Sequence, residues 1–348
     1  MYRNHSVAVV VPAYNETGLI GEVIRTIPSF VDRVYVIDDC STDGTWEEIE
    51  KHAAAVNREH GRPPAIADGG HGATASAGPG IPGLRVVPIR NEVNRGRGAS
   101  VKRGFRRALE DEMDVVAMMD GDGQMDPAVL DRILDPVVEG RADYAKGNRL
   151  TAEGGWEGMT RFRLFGNLTL SFLTKMSTGY WGVGDSQNGY AAISREALRR
   201  IDIDDLYEDY GFENDILAKL NLHDMRVADV PHPAVYGEET STIQYGSFIP
   251  RVSALLLRNF ARRITDKYLL GGFHPVAAFY LLAAVALVVG VVGSAYSLVT
   301  WAEGSLVGGL FSVLVFLFGG LFLVAALAFD VRLNAHLSAH GEGGITPP

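Results

Sequence analysis

The chain has 348 residues, which is enough for one large domain and an appendage. Its 42 acidic residues outnumber its 32 basic ones and give a formal net charge of −10. We therefore expect no nucleic-acid partner, because a general nucleic-acid-binding surface needs a basic footprint. The single cysteine, Cys40, excludes an intrachain disulfide and a cysteine-cluster metal site.

Four apolar runs in the first part of the chain predict β-strands. They are Val7–Val11, Arg33–Ile37, Leu84–Ile89 and Asp114–Met119. A helical pattern follows each of the first three; Ser41 or Thr42 can cap the second helix, and Ala99–Glu110 is the third. Strands that alternate with helices at this spacing predict an α/β domain with a mostly parallel sheet and helices on both faces.

A stretch rich in Gly, Pro and Ala, at about residues 57–83, interrupts this alternation. It has no periodicity, so we expect a flexible surface insertion and assign it no function. After the fourth strand the alternation resumes. Helices are predicted at Thr160–Lys175, Arg195–Ile201 and Phe212–Leu222, and strands at Ser186–Ser194 and Met225–Val230.

Two long runs without Asp, Glu, Lys or Arg lie near the C-terminus, at Phe273–Thr300 and Ser305–Phe329. A bilayer core needs about 20 apolar residues per helix, and both runs reach that length. The alternative is a pair of helices buried in a large soluble core. Because both runs are long and uncharged, the sequence predicts a transmembrane hairpin within residues 271–330.

Basic residues flank this hairpin at both of its ends. They are Arg258, Arg262, Arg263 and Lys267 before the first run and Arg332 after the second. Basic flanks stay in the cytoplasm, so we expect an integral membrane protein whose N-terminal domain and short tail, residues 331–348, are cytoplasmic. The basic amphipathic segment 246–270 is predicted to lie in the membrane interface, with its cations near anionic headgroups.

The fourth predicted strand runs into the sequence MMDGDGQMDP, in which Asp120 and Asp122 are one residue apart. Asp-Gly pairs are common turn formers, so a surface turn is one interpretation. Ligands of open α/β sheets bind at the carboxyl ends of strands, however, and Glu16 and Asp39 also follow strands. Hard cations such as Mg²⁺ take carboxylate and phosphate oxygens, so the pair is predicted to hold a divalent cation beside a nucleotide diphosphate.

The segment NRGRGA, residues 94–99, precedes the third helix. Backbone N–H groups at a helix N-terminus can receive a phosphate, and a turn with basic side chains is an equally good interpretation. The segment is neither a P-loop nor a full dinucleotide fingerprint, which disfavours a dinucleotide-dependent oxidoreductase.

The chain carries six motifs that, in this order, resemble those of the GT-A glycosyltransferases of family 2: VVVPAYNE, VIDDCSTDGT, NRGRGA, MDGDGQMDP, KGNR and DSQNGYAAISREAL. The similarity covers about residues 6–245. The branch it resembles comprises dolichyl-phosphate mannose and glucose synthases and related polyprenyl-phosphate glycosyltransferases. The resemblance implies a GT-A domain, the Rossmann-like α/β fold of nucleotide-diphospho-sugar transferases, over residues 1–245, with the C-terminal two-helix transmembrane hairpin appended.

The resemblance also implies roles for residues on the donor side. The nucleotide sugar would be lined by Pro12, Ala13, Tyr14, Glu16, Asp39, Gly98, Asp120 and Gly121. The divalent cation, Mg²⁺ or Mn²⁺, would be held by Asp120, Asp122 and Gln124. Tyr14 and Glu16 have an alternative as ordinary helix-entry residues, since acids favour a helix N-terminus. The family's usual alanine between the two acidic positions is Gly121 here.

On the acceptor side the resemblance implies contacts to the acceptor or its phosphate from Arg149, Arg163, Gln187 and Asp215. The catalytic positions that it implies are Asp122, Arg149 and Asp185. Arg163 has an alternative as an interfacial side chain, and Glu213 and Asp215 as solvated charges on a helix face. The segment EETSTI, residues 238–243, lacks the basic residue that related synthases often have near the acceptor phosphate.

The function that the resemblance implies is a metal-dependent, inverting glycosyl transfer. A sugar would move from a UDP- or GDP-sugar to a membrane polyprenyl or dolichyl phosphate at the cytoplasmic face, for glycoprotein or cell-surface glycan synthesis. One alternative is a membrane glycosyltransferase with a hydroxyl acceptor, in which Glu213 or Asp215 serves as the base. Another is a nucleotide-sugar-binding membrane subunit without catalysis.

Overall fold

A computed structural model describes residues 1–59, 85–149, 161–233, 245–300 and 306–339, without the side chains of 161–165, 167, 245–248 and 306. The strands are β1 Val7–Ala13, β2 Arg33–Asp38, β3 Val86–Arg90, β4 Val115–Met118, β5 Tyr144–Asn148, β6 Ala191–Ser194, β7 Val227–Pro231 and β8 Ser338–Ala339. The α-helices are α1 Ile20–Thr26, α2 Thr45–Glu59, α3 Arg97–Glu110, α4 Leu130–Val138, α5 Arg161–Thr178, α6 Arg195–Arg200, α7 Phe212–Leu222, α8 Tyr245–Arg263, α9 Pro275–Val299 and α10 Leu306–Asn334.

The eight strands form one sheet in the order β3-β2-β1-β4-β6-β5-β7-β8. All pairs are parallel except those of β6, which runs antiparallel to β4 and to β5. Every residue of β1 is buried. Its apolar run is continuous because α1, α2 and α4 cover one face of the sheet, and α3, α6 and α7 cover the other. The predicted α/β domain with helices on both faces is confirmed.

Two local predictions differ from the structure. Helix α2 begins at Thr45, whose backbone N–H donates to the Asp43 carboxylate over 2.9 Å. Ser41 does not cap this helix, because its hydroxyl accepts the backbone N–H of Asn15 over 3.0 Å. The strand predicted over Ser186–Ser194 is confined to β6, and residues 185–190 form a loop. The predicted insertion at 57–83 begins inside α2, and its residues 60–83 lie outside the described residues.

The predicted amphipathic segment 246–270 forms α8 followed by a π-helical segment, Ile264–Leu270. Helix α8 packs against α5 and α7, so its cations reach carboxylates of the N-terminal domain, whereas the sequence predicts headgroup contacts for them. The ion pairs are Arg251–Asp209 at 3.3 Å, Arg258–Asp215 at 3.3 Å and Arg262–Asp205 at 2.6 Å. These three arginines remain about half exposed or more, which leaves them accessible to a membrane surface as well.

A fully buried ion pair joins the end of α8 to α10. The Arg263 guanidinium donates from Nη1 to Asp330 Oδ1 over 2.8 Å and from Nη2 to Oδ2 over 3.0 Å. It also donates to the carbonyl oxygens of Met176 and Ser177 at the end of α5, and the Tyr268 hydroxyl donates to Asp330 over 2.9 Å. The N-terminal domain, the juxtamembrane segment and the second apolar helix are therefore joined by one buried polar network.

Helices α9 and α10 are long and apolar enough to cross a membrane. They pack antiparallel, because Phe279 stacks on Phe329 near one end while Gly290 lies against Phe316 further along. A Cβ on Gly290 would lie 2.6 Å from that of Phe316, so a small residue is required where the two backbones approach. Beyond α10 the predicted tail begins with a 3₁₀ turn and β8, which pairs with β7 at the edge of the sheet. Both ends of the hairpin thus return to the N-terminal domain.

Candidate active site

The candidate site lies at one edge of the sheet, where β1, β2 and β4 end and β6 begins. Met118 at the end of β4 pairs with Ala191 at the start of β6, which brings the loop 185–190 beside the loop 119–126. The N–H of Gly121 donates to the Pro12 carbonyl over 3.2 Å, and the N–H of Asp39 donates to the Ala13 carbonyl over 2.9 Å. The edge therefore gathers segments from four separate motifs, as the strand-end argument predicts.

The Asp-Gly-Asp-Gly stretch forms a turn that presents two carboxylates. The N–H of Gln124 donates to Asp122 Oδ1 over 2.9 Å, and Gly123 takes φ of 75°, a left-handed conformation that glycine adopts freely. Gly121 also has a packing reason, since a Cβ there would lie 3.0 Å from the Ile20 side chain and 3.2 Å from that of Ala13. The turn and the carboxylate pair are thus one structure.

Arg97 bridges Asp120 to helix α7. Its Nε donates to Asp120 Oδ1 over 2.7 Å and its Nη1 donates to Glu213. Its Nη2 is buried and has no hydrogen-bond partner among the described residues. Burial acts to lower the pKa of Arg97, but the carboxylates of Asp120 and Glu213 outweigh it and raise this pKa above the ordinary value. Arg97 is therefore a fixed cation with one unused donor inside the site.

The donor atoms at Asp120 and Asp122 suit a divalent cation in part. Across the described ranges, no group of three or more His, Cys, Asp or Glu side chains is placed to hold a metal. Two carboxylates and the Gln124 amide are hard oxygen ligands of the kind that Mg²⁺ and Mn²⁺ prefer, and a bound diphosphate would have to complete the shell. Arg97 contacts Oδ1 of Asp120, whereas Oδ2 faces Gly189, where a Cβ would lie only 3.0 Å away.

Asp39 holds the loop that delivers Arg97. It is 3% exposed; its Oδ1 accepts from Asn91 Nδ2 over 2.7 Å and its Oδ2 accepts the N–H of Gly96 over 2.8 Å. Gly98 is buried against loop 207–208, where a Cβ would lie 2.5 Å from the Tyr207 carbonyl oxygen. That loop covers the first turn of α3, because the Glu208 carbonyl accepts the N–H of Ala99 over 3.1 Å. This segment positions the loop, and direct contacts of Asp39 and Gly98 to a donor stay predictions.

Tyr14 and Glu16 follow β1 at the rim of the site. The Tyr14 side chain is 45% exposed, and the N–H of Glu16 donates to the Thr45 hydroxyl over 2.7 Å. The Glu16 carbonyl accepts the N–H of Ile20 over 3.1 Å, at the start of α1. The segment therefore enters a helix and also leaves an aromatic ring open to solvent, so both interpretations of these residues fit the geometry.

Asp185 and Arg149, two predicted catalytic residues, form an ion pair. Arg149 Nε donates to Asp185 Oδ2 over 2.8 Å. Asp185 is nearly buried, with 6% of its side chain exposed, whereas 38% of the Arg149 side chain is exposed. This ion pair joins the motifs KGNR and DSQNG, whose paired residues are 36 positions apart. The arginine is its solvent-exposed partner.

The other predicted acceptor residues lie in different surroundings. Gln187 Nε2 donates to Asn214 Oδ1 over 3.1 Å. Asp215 is 1% exposed and is paired with Lys219 and Arg258, while its Oδ2 accepts the N–H of Tyr207. It fastens α7 to its neighbours and offers no accessible oxygen, so an acceptor contact there stays a prediction. The Arg163 side chain and the segment EETSTI lie outside the described residues.

Three residues of the site were not predicted. Arg97 sits within the NRGRGA motif, whose sequence predicts no partner for an individual arginine. Lys146 is fully buried on β5 and donates from Nζ to the Asn188 carbonyl, and His232 follows β7 and contacts the Asn188 side chain. A lysine inside the apolar run YAKGN was a readable signal, because lysine is almost never fully buried unless it is paired.

The comparison with known families identifies the family of the chain that carries this site. The sequence model of glycosyl transferase family 2 matches residues 8–67 and 75–202, which carry the motifs of this edge. The chain belongs to glycosyltransferase family 2. It is a glycosyltransferase, as the resemblance implies.

Family 2 relatives with curated names include several that act on polyprenyl phosphates. The chain is 25% identical to UDP-N-acetylglucosamine–dolichyl-phosphate N-acetylglucosaminyltransferase of Methanococcus voltae, over 66% of this chain and 86% of that protein. It is 29% identical to polyprenol monophosphomannose synthase of Mycolicibacterium smegmatis, over 64% of this chain and 75% of that protein. Glycosyltransferase AglJ of Haloferax volcanii is 26% identical over 97% of this chain and 95% of its own length.

A solved structure with the same fold supports the GT-A assignment of this family 2 chain. Glucosyl-3-phosphoglycerate synthase of Mycobacterium tuberculosis, in complex with Mn²⁺, UDP and glucosyl-3-phosphoglycerate, superposes with a TM-score of 0.51. The two sequences are 20% identical, and the match covers 74% of this chain and 81% of that one. The α/β domain with a mixed sheet therefore has the GT-A-like architecture.

Proposed function

We propose that this family 2 glycosyltransferase moves a sugar from a UDP- or GDP-sugar to the phosphate of a membrane polyprenol, with inversion at the anomeric carbon. One observation carries the proposal. The Arg149–Asp185 pair belongs to the edge that carries the Asp120 turn, because Gly189, four residues after Asp185, lies against Asp120, and a buried ion pair joins the same domain to a candidate membrane hairpin. In this arrangement Arg149 would meet the phosphate of a lipid held at the membrane surface. The names of the relatives from Methanococcus voltae and Mycolicibacterium smegmatis support the same acceptor class.

On the donor side we assign the cation to Asp120 and Asp122, with Gln124 beside it. A divalent cation bound there would neutralise the charge that develops on the departing diphosphate. Arg97 supplies a second, permanent positive charge, and its unused Nη2 donor can hydrogen-bond a phosphate oxygen. The M. tuberculosis structure, which contains Mn²⁺ and UDP, supports a metal-assisted donor site. Tyr14 is the exposed ring available to the nucleobase.

On the acceptor side the chemistry needs no strong base. A phosphate monoester has a second pKa of about 6, so a polyprenyl phosphate is already an anionic nucleophile near neutral pH. Arg149 would bind this phosphate through its exposed face, while Asp185 holds the guanidinium from the buried side. Asp185 then orients the acceptor through Arg149 and removes no proton.

The geometry disfavours the alternative with a hydroxyl acceptor. That reaction needs a carboxylate free to act as a general base. Of the two candidates, Glu213 is paired with Arg97, and Asp215 is paired with Lys219 and Arg258. Neither carboxylate is therefore able to approach a hydroxyl acceptor without giving up a cation.

The location follows from the hairpin and its flanks. We propose that α9 and α10 span the membrane and that the catalytic domain faces the cytoplasm, because Arg258, Arg262 and Lys267 precede the hairpin and Arg332 ends it. Synthesis at this face would let a soluble nucleotide sugar meet a lipid whose phosphate lies at the headgroup plane.

The test is a donor panel with a lipid acceptor. Purified protein in detergent is incubated with Mg²⁺ or Mn²⁺, dolichyl phosphate and each of several labelled UDP- and GDP-sugars. We expect label in the lipid fraction for one or a few donors, and release of that label by mild acid. Transfer that needs no divalent cation, or label that resists mild acid, would contradict the proposal.

A further inference from the structure

The loop that carries Asp185 is anchored to β5 and to the segment after β7 by residues that the proposed chemistry does not use. Asn188, in this loop, is 2% exposed and uses every polar group of its side chain and its carbonyl. Its Oδ1 accepts the N–H of Tyr190 over 3.0 Å, its Nδ2 contacts His232 Nε2 at 2.6 Å, and its carbonyl accepts from Lys146. Asn188 is therefore the point at which the loop is fastened to β5 and to the segment after β7.

The tautomer of His232 is fixed by its two neighbours. Its Nδ1 lies 2.8 Å from the Pro233 carbonyl oxygen, which can only accept, so Nδ1 carries the proton. The Asn188 oxygen is committed to the Tyr190 N–H, so the amide nitrogen of Asn188 must face the ring. Nε2 of His232 therefore has to be an unprotonated acceptor, and only the neutral imidazole satisfies both contacts.

The ring is also held tightly in place. His232 is 3% exposed and packs edge-on against Tyr190, with ring centroids 5.7 Å apart. Gly147 on β5 lies under the ring, where a Cβ would come within 2.7 Å of His232 and 2.9 Å of Asn188. A protonated ring cannot relieve its contact with the Asn188 amide by a small shift, because there is no room for one. The amide would have to rotate and give up the Tyr190 N–H.

The charges that face His232 come from three elements. Burial lowers the pKa of His232; Arg149 and Arg132 lower it further, and Asp185 and the hydrogen bond of Pro233 oppose them. The neutral ring therefore contributes stability that is complete above about pH 6.5 and is lost as the pH falls below that value. Lys146 donates to the backbone carbonyl of Asn188, and burial lowers the pKa of Lys146 to about 8 against the attraction of Glu213 and Asp185.

We propose that His232, in its neutral Nδ1–H form, is a positioning residue that sets the Asp185 loop through Asn188. Asn188 donates its N–H to the Asp185 carbonyl over 3.4 Å, and Asp185 in turn holds Arg149. A displaced Asn188 side chain would therefore displace Asp185 and, with it, the Arg149–Asp185 ion pair on the acceptor side. Protonation of His232 rotates the Asn188 amide and loosens the loop. The effect of this role on turnover rests on the proposed function; its effect on the structure of the loop does not.

Two conservative variants separate the contacts. His232→Gln keeps an acceptor within reach of Asn188 and cannot titrate in this range. His232→Asn is one methylene shorter, so it keeps the contact to the Pro233 carbonyl and loses the one to Asn188. We expect H232Q to stay close to wild type at pH 7.5 and H232N to lose about tenfold in kcat/KM for the acceptor, the effect of leaving one buried donor unpaired.

The loop is measured without any substrate by hydrogen–deuterium exchange of the peptide that covers residues 185–190. At pH 7.5 its protection should fall in H232N and not in H232Q; at pH 5 it should fall in wild type relative to H232Q. His223→Gln, at an exposed position after α7, is the matched control and should behave as wild type. Because the acceptor phosphate also titrates near pH 6, turnover is compared as the ratio of wild type to H232Q at each pH.

Equal exchange and equal turnover of H232N and wild type would overturn the proposal, as would a ratio of wild type to H232Q that does not change between pH 7.5 and pH 5. If no polyprenyl phosphate is glycosylated while the exchange differences appear as expected, the proposed acceptor is wrong and the positioning role stands.

Discussion

Asp120 is the residue at which the proposed donor chemistry depends on two cations at once. Asp120 contacts Arg97 through Oδ1. A divalent cation is proposed to bind the other oxygen, Oδ2, together with the Asp122 carboxylate. Asp120→Asn and Asp122→Asn should each lower metal-dependent transfer by about 100-fold or more, because each removes a charge that stabilises the departing diphosphate. Turnover and the circular dichroism spectrum are measured together. Asp131→Asn, at an exposed acid of α4, is the control, and full activity of both site variants would refute the metal assignment.

Arg97 gives a second prediction at the residue scale. Lysine keeps the charge but presents one point instead of a planar fork, so Arg97→Lys cannot satisfy Asp120 and Glu213 together and still offer a donor to the phosphate. We expect the affinity for the donor nucleotide to fall about tenfold, as measured by isothermal titration. Arg95→Lys, two positions away and with 60% of its side chain exposed, should leave that affinity unchanged. Equal affinities of R97K and wild type would remove Arg97 from the donor site.

The sequence allowed some of these residues to be placed and not others. The Asp120 turn follows a predicted strand, whereas Arg149 and Asp185 are implied only by the resemblance of the motifs KGNR and DSQNG. The contact of Arg97 with Glu213 joins residues 116 positions apart, and it exists only because α7 packs beside the start of α3. Local patterns carry no information about such a contact. The same holds for Asp215, an acceptor residue by the family resemblance, whose burial in an ion-pair network no local pattern reveals.

At the scale of elements, the Arg263–Asp330 pair should decide how firmly the domain is held on the hairpin. Removing one partner leaves a buried charge without compensation, so Arg263→Met or Asp330→Leu should destabilise the protein by about 3–5 kcal/mol. The double variant should recover much of this loss, because both charges are then absent. Thermal unfolding in detergent of the four proteins forms the double-mutant cycle.

The control for this cycle is the exposed pair Arg200–Glu196, one helical turn apart at 2.7 Å. Its removal should cost about 0.5 kcal/mol or less, because solvent screens exposed ion pairs. If the single variants at Arg263 and Asp330 cost no more than those of the control pair, the buried network does not lock the domain to the hairpin.

The alternation of strands and helices was predictable because each element carries its own period of apolar residues. The antiparallel direction of β6 was not, since a strand of four residues, three of them buried, has the same apolar pattern in both directions. Strand β8 has two residues and pairs with β7 only because α10 ends beside the sheet. The partners of the cations on α8 were also not predictable from the sequence, because a basic helix face is equally compatible with headgroups and with acidic residues of a neighbouring domain.

At the scale of the whole molecule, the topology can be tested with the cysteine that the chain already has. Cys40 lies in the N-terminal domain and is partly exposed. In intact cells, a membrane-impermeant maleimide should leave Cys40 unlabelled until the cells are lysed. In a Cys40→Ser background, a Glu303→Cys change in the connection between the two apolar runs should be labelled from outside without lysis. The opposite pattern would contradict the cytoplasmic orientation, and protection of both sites in intact cells would contradict a spanning hairpin.

The hairpin itself was predictable from two uncharged runs, because length and apolarity are the properties that a bilayer selects. Its attachment to the catalytic domain was not predictable, because it depends on Arg263, which precedes the first apolar run, and Asp330, which follows the second. These two residues come together only in the folded protein. Because of this attachment, the proposed acceptor depends on the whole molecule: the Arg149–Asp185 pair has to lie where a lipid phosphate can reach it.

The most direct test of that claim is a competition between two acceptors that differ only by the phosphate. Equal amounts of a polyprenyl phosphate and the corresponding free polyprenol are offered to the purified protein with its preferred labelled sugar nucleotide and Mg²⁺ or Mn²⁺, and the products are separated by charge. We predict that all of the label appears as a glycosyl phosphodiester of the lipid. Label on the free polyprenol, or equal labelling of the two lipids, would contradict the proposed function.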